Sequence, residues 1–220
     1  MIIICGCGGT GSNLAPMLSR MLKNEIFYLI DGDIVEGKNI ERQTFQTFDV
    51  GSNKARALAK KLNSNFSNQH YFIDKYLETT EEIKQLLIDK STGKNIEYIS
   101  RVIIIGCVDN NASRKILEDA YKQIKKDFAK KKVQVHYIDS GNEDTFGTVL
   151  VDYLRSNFMD LDTDDHPATH CCDEIAKGNL QQYQINLDMA LAIAKVVFSI
   201  VEGKEIPTCI KIDGFNRNVE

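Results

Sequence analysis

The chain has no excess of basic charge, no C-x-x-C pair, no internal repeat and no low-complexity tract. Each absence removes a class of protein. A net charge of -4 over 220 residues argues against nonspecific binding to nucleic acid or to an anionic membrane surface. Without C-x-x-C pairs a four-cysteine zinc site has no support. No apolar run approaches the roughly 18 residues that cross a bilayer. The first residues carry neither the basic region nor the cleavage site of a signal peptide. These features read as a cytoplasmic protein, in a reducing compartment where a disulfide framework is not expected.

An apolar share of 43% and a charged share of 26% suit an ordinary globular domain, and the length suffices for one sizeable core. Of six cysteines, Cys5, Cys107 and Cys209 sit in or beside apolar runs and read as small buried hydrophobes.

The elements alternate. Ile2–Cys5 reads as a buried strand, followed by a glycine loop and a helix to about residue 23 that Ser12 or Asn13 could cap. A second strand, Ile26–Ile30, ends at Asp31. Ser52 can cap a helix through about residue 62, a third strand is expected over 70–73, and Thr79 or Thr80 begins a helix to about residue 88. Residues 89–95 read as a loop. The strongest strand covers 101–107, then a helix 111–128 and a strand 133–138. The pattern predicts a parallel sheet covered on both faces. Beyond residue 139 the texture changes: "TFGTVLVDYL" suggests a strand entering from another direction, 157–179 a long loop, and 185–201 a helix apolar nearly all round and therefore buried. The chain is read as one domain, with a nucleotide-binding half over 1–140 and a crossover loop with closing strands and helix over 141–220.

The glycine loop "GCGGTGSN" fits G-x-G-x-x-G through Gly6, Gly8 and Gly11, with Gly9 inside it. Glycines let a phosphate approach the backbone, and the following helix offers free N–H groups and a positive dipole end. Asp31, at the end of the second strand, suits a ribose hydroxyl. NAD and ATP are equally served so far. What separates them is "DGDIVEGKNIERQTF" and "DVGSNKARAL", which bring Arg42 and Lys54 close in sequence, and "CVDNNASR", which puts Asp109 just past the strongest strand. An acid, an arginine and a lysine around a nucleotide suit a triphosphate with Mg²⁺.

These residues carry a resemblance. Gly6-x-Gly8-Gly9-x-Gly11, Asp31-x-Asp33, Val35, Glu36, Asn39, Arg42, Gln43, Phe45, Asp49-Val50-Gly51, Lys54-Ala55, Asp109-Asn110 and Arg114 stand in the order of the ThiF/MoeB group. That group belongs to the ubiquitin-activating (E1-like) enzyme superfamily, and the sequence resembles it closely over about residues 2–150 and more loosely over 185–198. The resemblance implies a Rossmann-like α/β fold with a mixed sheet and helices on both faces. It implies ATP-dependent adenylation of a carboxylate, usually the C-terminal glycine of a small ubiquitin-like or sulfur-carrier protein. By matching position, Gly6, Gly8, Gly9 and Gly11 would hold ATP and Asp31 the ribose. Asn39, Arg42, Gln43 and Lys54 would position phosphates, with Asp33 and Asn110 beside them, and Asp109 would hold Mg²⁺. Each has a plainer rival: Asp33 as a turn cap, Arg42 and Lys54 as solvated charges, Asp109-Asn110 as a helix cap, Arg114 as a structural ion-pair partner.

The resemblance also implies a homodimer, but this chain has almost nothing before Cys5, where family members carry a helix that can lend an arginine across the interface. The zinc-binding C-x-x-C pairs of the family and room for a catalytic-cysteine or ubiquitin-fold domain are missing too. The chain is similar to the compact adenylation modules of bacterial mobile elements and phages. "HPATHCCDE", residues 166–174, lies where family crossover loops often bear a cysteine that accepts the activated acyl group. A thiolate is a natural acceptor, and His166 and His170 could lower its pKa. Cys171 and Cys172 are therefore candidate acceptors, with Cys171 favoured; structural cysteines and a two-histidine, two-cysteine metal site remain alternatives. Activation of a non-protein carboxylate and a non-catalytic nucleotide-binding subunit are the other functional readings.

Overall fold

In a computed structural model the described residues are 1–89, 94–95, 99–142, 146–161 and 183–213. The main sheet has seven strands in the order β3-β2-β1-β6-β7-β8-β9. They are β1 (Ile2–Cys5), β2 (Ile26–Ile30), β3 (Gln69–Ile73), β6 (Arg101–Gly106), β7 (Gln134–Asn142), β8 (Phe146–Val151) and β9 (Cys209–Asp213). The first five in spatial order run parallel, whereas β8 pairs antiparallel with both β7 and β9, so the sheet is mixed. Residues expected as a loop include a small antiparallel pair, β4 (Ile88–Asp89) with β5 (Lys94–Asn95).

The central strands are apolar without interruption because both faces are covered. Ile2, Ile4, Ile103 and Ile105 enter one core, with helices α1 (Gly9–Met21), α2 (Lys54–Asn65) and α5 (Tyr183–Val201) on that face. Ile3, Cys5, Val102 and Ile104 enter the other, with α3 (Thr80–Gln85) and α4 (Asn111–Asp127). In the sheet order, β1 leads outward to β2 on one side and meets β6 on the other. The carboxyl ends of β1 and β6 therefore flank the switch point where a ligand is expected.

Several expectations are corrected. Helix α1 starts at Gly9 with Gly8 as its cap, so Ser12 and Asn13 lie inside the helix. Asn53, not Ser52, caps α2, its side chain accepting from the Arg56 N–H at 2.9 Å. Strand β7 runs on to Asn142 because β8 pairs with its extension. Cys209 is exposed rather than buried: on β9 the alternation turns Ile210 and Ile212 to the core and Cys209 outward. Helix α5 has 19 residues and a mean hydropathy of 1.6, long and apolar enough to cross a membrane, and half of that stretch is buried in the fold. Its other face leaves Leu191 and Phe198 exposed, so it is not buried all round.

Candidate functional site

The glycine loop leaves β1 through Gly6, whose φ of 90° lies in the left-handed region and where a Cβ would meet the Cys107 carbonyl oxygen at 2.3 Å. At Gly11 a Cβ would lie 1.9 Å from the Gly6 carbonyl oxygen, so helix and loop touch backbone to backbone. Gly9 is pressed by Asn186 of α5. Gly8 differs: nothing stands within 4 Å of its missing Cβ. Packing thus explains Gly6, Gly9 and Gly11 but not Gly8. An open cradle at the start of a helix that lacks a side-chain cap is the geometry a phosphate uses.

The segment after β2 is tied to this loop. Asp31 accepts the Cys7 N–H on Oδ2 at 2.6 Å and the Asp33 N–H on Oδ1 at 2.8 Å. Desolvation pushes its carboxyl up to about 6, although Lys54 and the two backbone donors pull the other way. Asp33 accepts from Lys54 Nζ at 2.7 Å and from the Tyr76 hydroxyl. Burial opposes its ionisation, but the Lys54 charge, that hydrogen bond and Tyr76 together hold it below the usual carboxylate range. Asn53 Nδ2 donates to the carbonyls of Asp31 and Asp33 at 2.7 and 3.0 Å. The N-terminus of α2 is thereby stitched to the exit of β2. Lys54, expected on a phosphate, is 3% exposed and paired with Asp33.

Asn39 is buried, and its Oδ1 accepts the Glu36 N–H at 2.8 Å, which holds the turn before Arg42. The Arg42–Gln43 stretch is fastened to α1 through its neighbour Thr44, whose N–H donates to Ser12 Oγ at 3.1 Å and whose Oγ1 donates to the Ser12 carbonyl at 2.8 Å. Ser12 therefore anchors this loop instead of capping the helix. Arg42 is half-buried and finds no acidic partner among the described residues. Gln43 Oε1 is buried with no hydrogen-bond partner there.

At the end of β6, Asn110 is the cap of α4, accepting the Ser113 N–H at 2.8 Å. Asp109 is exposed, and its only hydrogen bond among the described residues comes from Asn110 Nδ2 at 3.2 Å. Arg114 is the structural partner that one reading anticipated: its Nη2 donates to the Val108 carbonyl at 2.9 Å and its Nε lies 3.5 Å from Asp139. Cys5, Cys7 and Cys107 cluster beneath the loop. Burial pushes Cys107 up to about 12 and raises the Cys5 and Cys7 thiols well above their ordinary range, so none is a nucleophile here.

No group of three or more His, Cys, Asp or Glu placed to hold a metal occurs among the described residues. Mg²⁺ does not require one, since it is commonly bound through one or two carboxylates with substrate phosphates and water. Asp109, a carboxylate that no cation of the described residues pairs with, fits that role. A cavity of about 580 Å³ between α4 and residues 156–161 shares no residue with the glycine loop. Cys171, Cys172, His166 and His170 lie outside the described residues.

A family model described as the ThiF family matches residues 1–210. The chain belongs to the ThiF family. Ubiquitin-like modifier-activating enzyme 5 of Rattus norvegicus is 29% identical over 124 residues, which make up 56% of this chain and 30% of that protein. The chain thus spans about a third of the length of the curated relatives it matches. Crystal structures of PaaA (TM-score 0.66, 20% identity, 98% of this chain and 61% of that one) and of E. coli MccB with ATP (TM-score 0.59, 18% identity, 96% and 60%) share the fold.

Within this ThiF-family chain, reading the sequence missed four residues around the site. Asn53 lay one position past the expected cap. Asp139 follows an apolar strand as Asp31 and Asp109 do, and that shared position could have revealed it. Arg155 and Asn186 left no local signal beyond polarity; Asn186 stood out only as an amide in an apolar helix.

Proposed function

We propose that this chain uses ATP and Mg²⁺ to adenylate a carboxylate, with a small ubiquitin-like or sulfur-carrier protein ending in glycine as the substrate. The observation that carries this reading is a matched pair of unneutralised charges. Arg42 follows the carboxyl end of β2 and Asp109 the carboxyl end of β6, and neither is neutralised by the described residues. A phosphate supplies what Arg42 lacks, and a divalent cation what Asp109 lacks. Gly8 leaves room for the phosphates, and Asp31 offers its carboxylate to the ribose. A dinucleotide dehydrogenase would leave Arg42 and Asp109 without a task.

In the reaction a carboxylate oxygen of the substrate attacks the α-phosphorus of ATP, the bond to the β-phosphate breaks, and pyrophosphate leaves. Both reactants are anionic. Arg42 and the end of α1 would offset that repulsion, and Asp109 would hold a divalent metal ion, which when bound would supply charge stabilisation to the leaving phosphates. Cys171 or Cys172 would then attack the acyl carbon, losing the thiol proton to solvent and expelling AMP, to leave a thioester. This second step rests on sequence alone.

ATP–pyrophosphate exchange with small carrier proteins ending in glycine tests the reading. Exchange that depends on such a protein supports it; stabilisation of the fold by NAD and not by ATP with Mg²⁺ overturns it. The Cys171→Ala variant should exchange normally and lose a reductant-sensitive adduct, with Cys172→Ala as its control.

A further inference from the structure

Asn186 is the one side chain on the inner face of α5 whose chemistry the packing does not use. It is 1% exposed, in the first turn of a helix otherwise buried through Ile185, Met189, Ala190 and Ile193. Its Oδ1 accepts from Asn142 Nδ2 at 3.2 Å, which fixes the orientation of the amide. Its Nδ2 is buried and donates to nothing among the described residues. That nitrogen sits against the first residue of α1: a Cβ on Gly9 would lie 2.5 Å from it. The Gly9 carbonyl accepts instead from Asn13 Nδ2 at 2.7 Å. A buried amide donor without an acceptor is costly, and a ligand that supplies the acceptor removes the cost.

The donor stands beside the open cradle at Gly8 and the positive end of α1, so the acceptor it suits is an anionic oxygen. We propose that Asn186 is a phosphate-binding residue, its Nδ2 donating to an oxygen of the nucleotide phosphate seated at the start of α1, with Asn142 holding the amide in position. The inference rests on the nucleotide reading above. It also gives Gly9 its reason: a side chain there would displace the amide from the phosphate. The closing helix thereby becomes a wall of the nucleotide site and not only a cover for the sheet.

The test measures equilibrium binding of two probes, ATP and adenosine, by calorimetry to the wild-type chain and to Asn186→Ala, Asn186→Asp and Asn142→Ala. A lost hydrogen bond to a charged group predicts ATP binding about tenfold or more weaker in Asn186→Ala. Asn186→Asp should weaken it further, because a carboxylate then faces the phosphate. Asn142→Ala should lose less than either. Adenosine, which lacks phosphates, should bind all four proteins within about twofold, and the melting temperature of the unliganded Asn186→Ala protein should not fall as its ATP affinity does. Equal losses for ATP and adenosine would reduce Asn186 to a structural role and overturn the inference. So would unchanged ATP affinity in both Asn186 variants. A wild-type chain that binds neither probe would overturn the nucleotide reading itself, and so is told apart from failure of the Asn186 assignment.

Discussion

Asp109 and Asp139 follow the apolar runs of two neighbouring parallel strands, yet the fold treats them in opposite ways. Asp139 is 0% exposed. Arg155 Nε donates to its Oδ2 at 2.7 Å, and Arg114 Nε stands 3.5 Å from its Oδ1. Asp109 is exposed, and among the described residues only Asn110 hydrogen-bonds to it. A buried carboxylate must be neutralised by its own chain, because burial without a counter-charge is prohibitive. A carboxylate at the rim is solvated by water and stays open to a cation from solution. The pair teaches how to sort acids at the end of a sheet: those the chain neutralises hold the fold, and those it leaves bare are the ones to test for function. Arg114 belongs to the first group, and Arg42, which meets no acid among the described residues, to the second.

The largest effect should come from the buried side of this contrast. Asp139→Ala leaves the guanidiniums of Arg155 and Arg114 largely buried and without their carboxylate. Urea unfolding should show a loss of about 3–5 kcal/mol; a loss under ~1 kcal/mol would mean that the cluster is not holding the β6–β7 edge. The mirror image is Asp109→Ala. Pyrophosphate exchange should fall about a hundredfold or more, while unfolding stays within ~0.5 kcal/mol of the parent, as for surface changes in general. Normal exchange in this variant would sink the assignment of the metal-holding residue.

Lys54 sharpens the comparison because it sits between the two cases. Its partner Asp33 has a side chain 31% exposed, so water screens part of the pair. Lys54→Met should cost about 1–2 kcal/mol of stability, below the loss at Asp139. If exchange at equal folded fraction is also unchanged, Lys54 serves the fold alone; if it drops, Lys54 leaves Asp33 to act on phosphate.

The smallest expected effect is a pH dependence at Asp31. Its folded-state carboxyl is raised from the ordinary 3.8 to about 6 by burial. The proton it holds therefore favours the folded state, fully below pH 3.8, and that contribution is lost as pH rises through 6. Binding runs the other way: a ribose hydroxyl donates to the ionised form. Adenosine, whose phosphate-free structure adds no titration here, should bind with constant affinity above pH 7 and about tenfold more weakly by pH 5. A flat profile across that range would remove Asp31 from the ribose.

Much of this was legible because it is local or periodic. Ile2–Cys5 and Ile26–Ile30 fall where the runs of apolar residues put them, and the glycine spacing marks the turn after β1. Helix ends were less legible. Ser12 and Ser52 are good caps by type, but Gly8 and Asn53 hold those positions, since Ser12 is claimed by Thr44 from a distant loop. The outward face of Cys209 depended on β9 pairing with β8 at the sheet edge, a contact between segments far apart in the chain.

Residue type and spacing alone account for the parallel core, the glycine cradle and the acids after the apolar runs of β2, β6 and β7, because each is read from a few neighbouring residues. They cannot say which of those charges is already paired. Arg42, Lys54, Arg114 and Arg155 are alike as cations in a sequence. Folding brings Lys54 to Asp33 and two arginines to Asp139, gives Arg42 and Asp109 no opposite charge among the described residues, and lays Asn186 against Gly9. Pairing is a property of distances between segments that the chain brings together only when its helices close over the sheet.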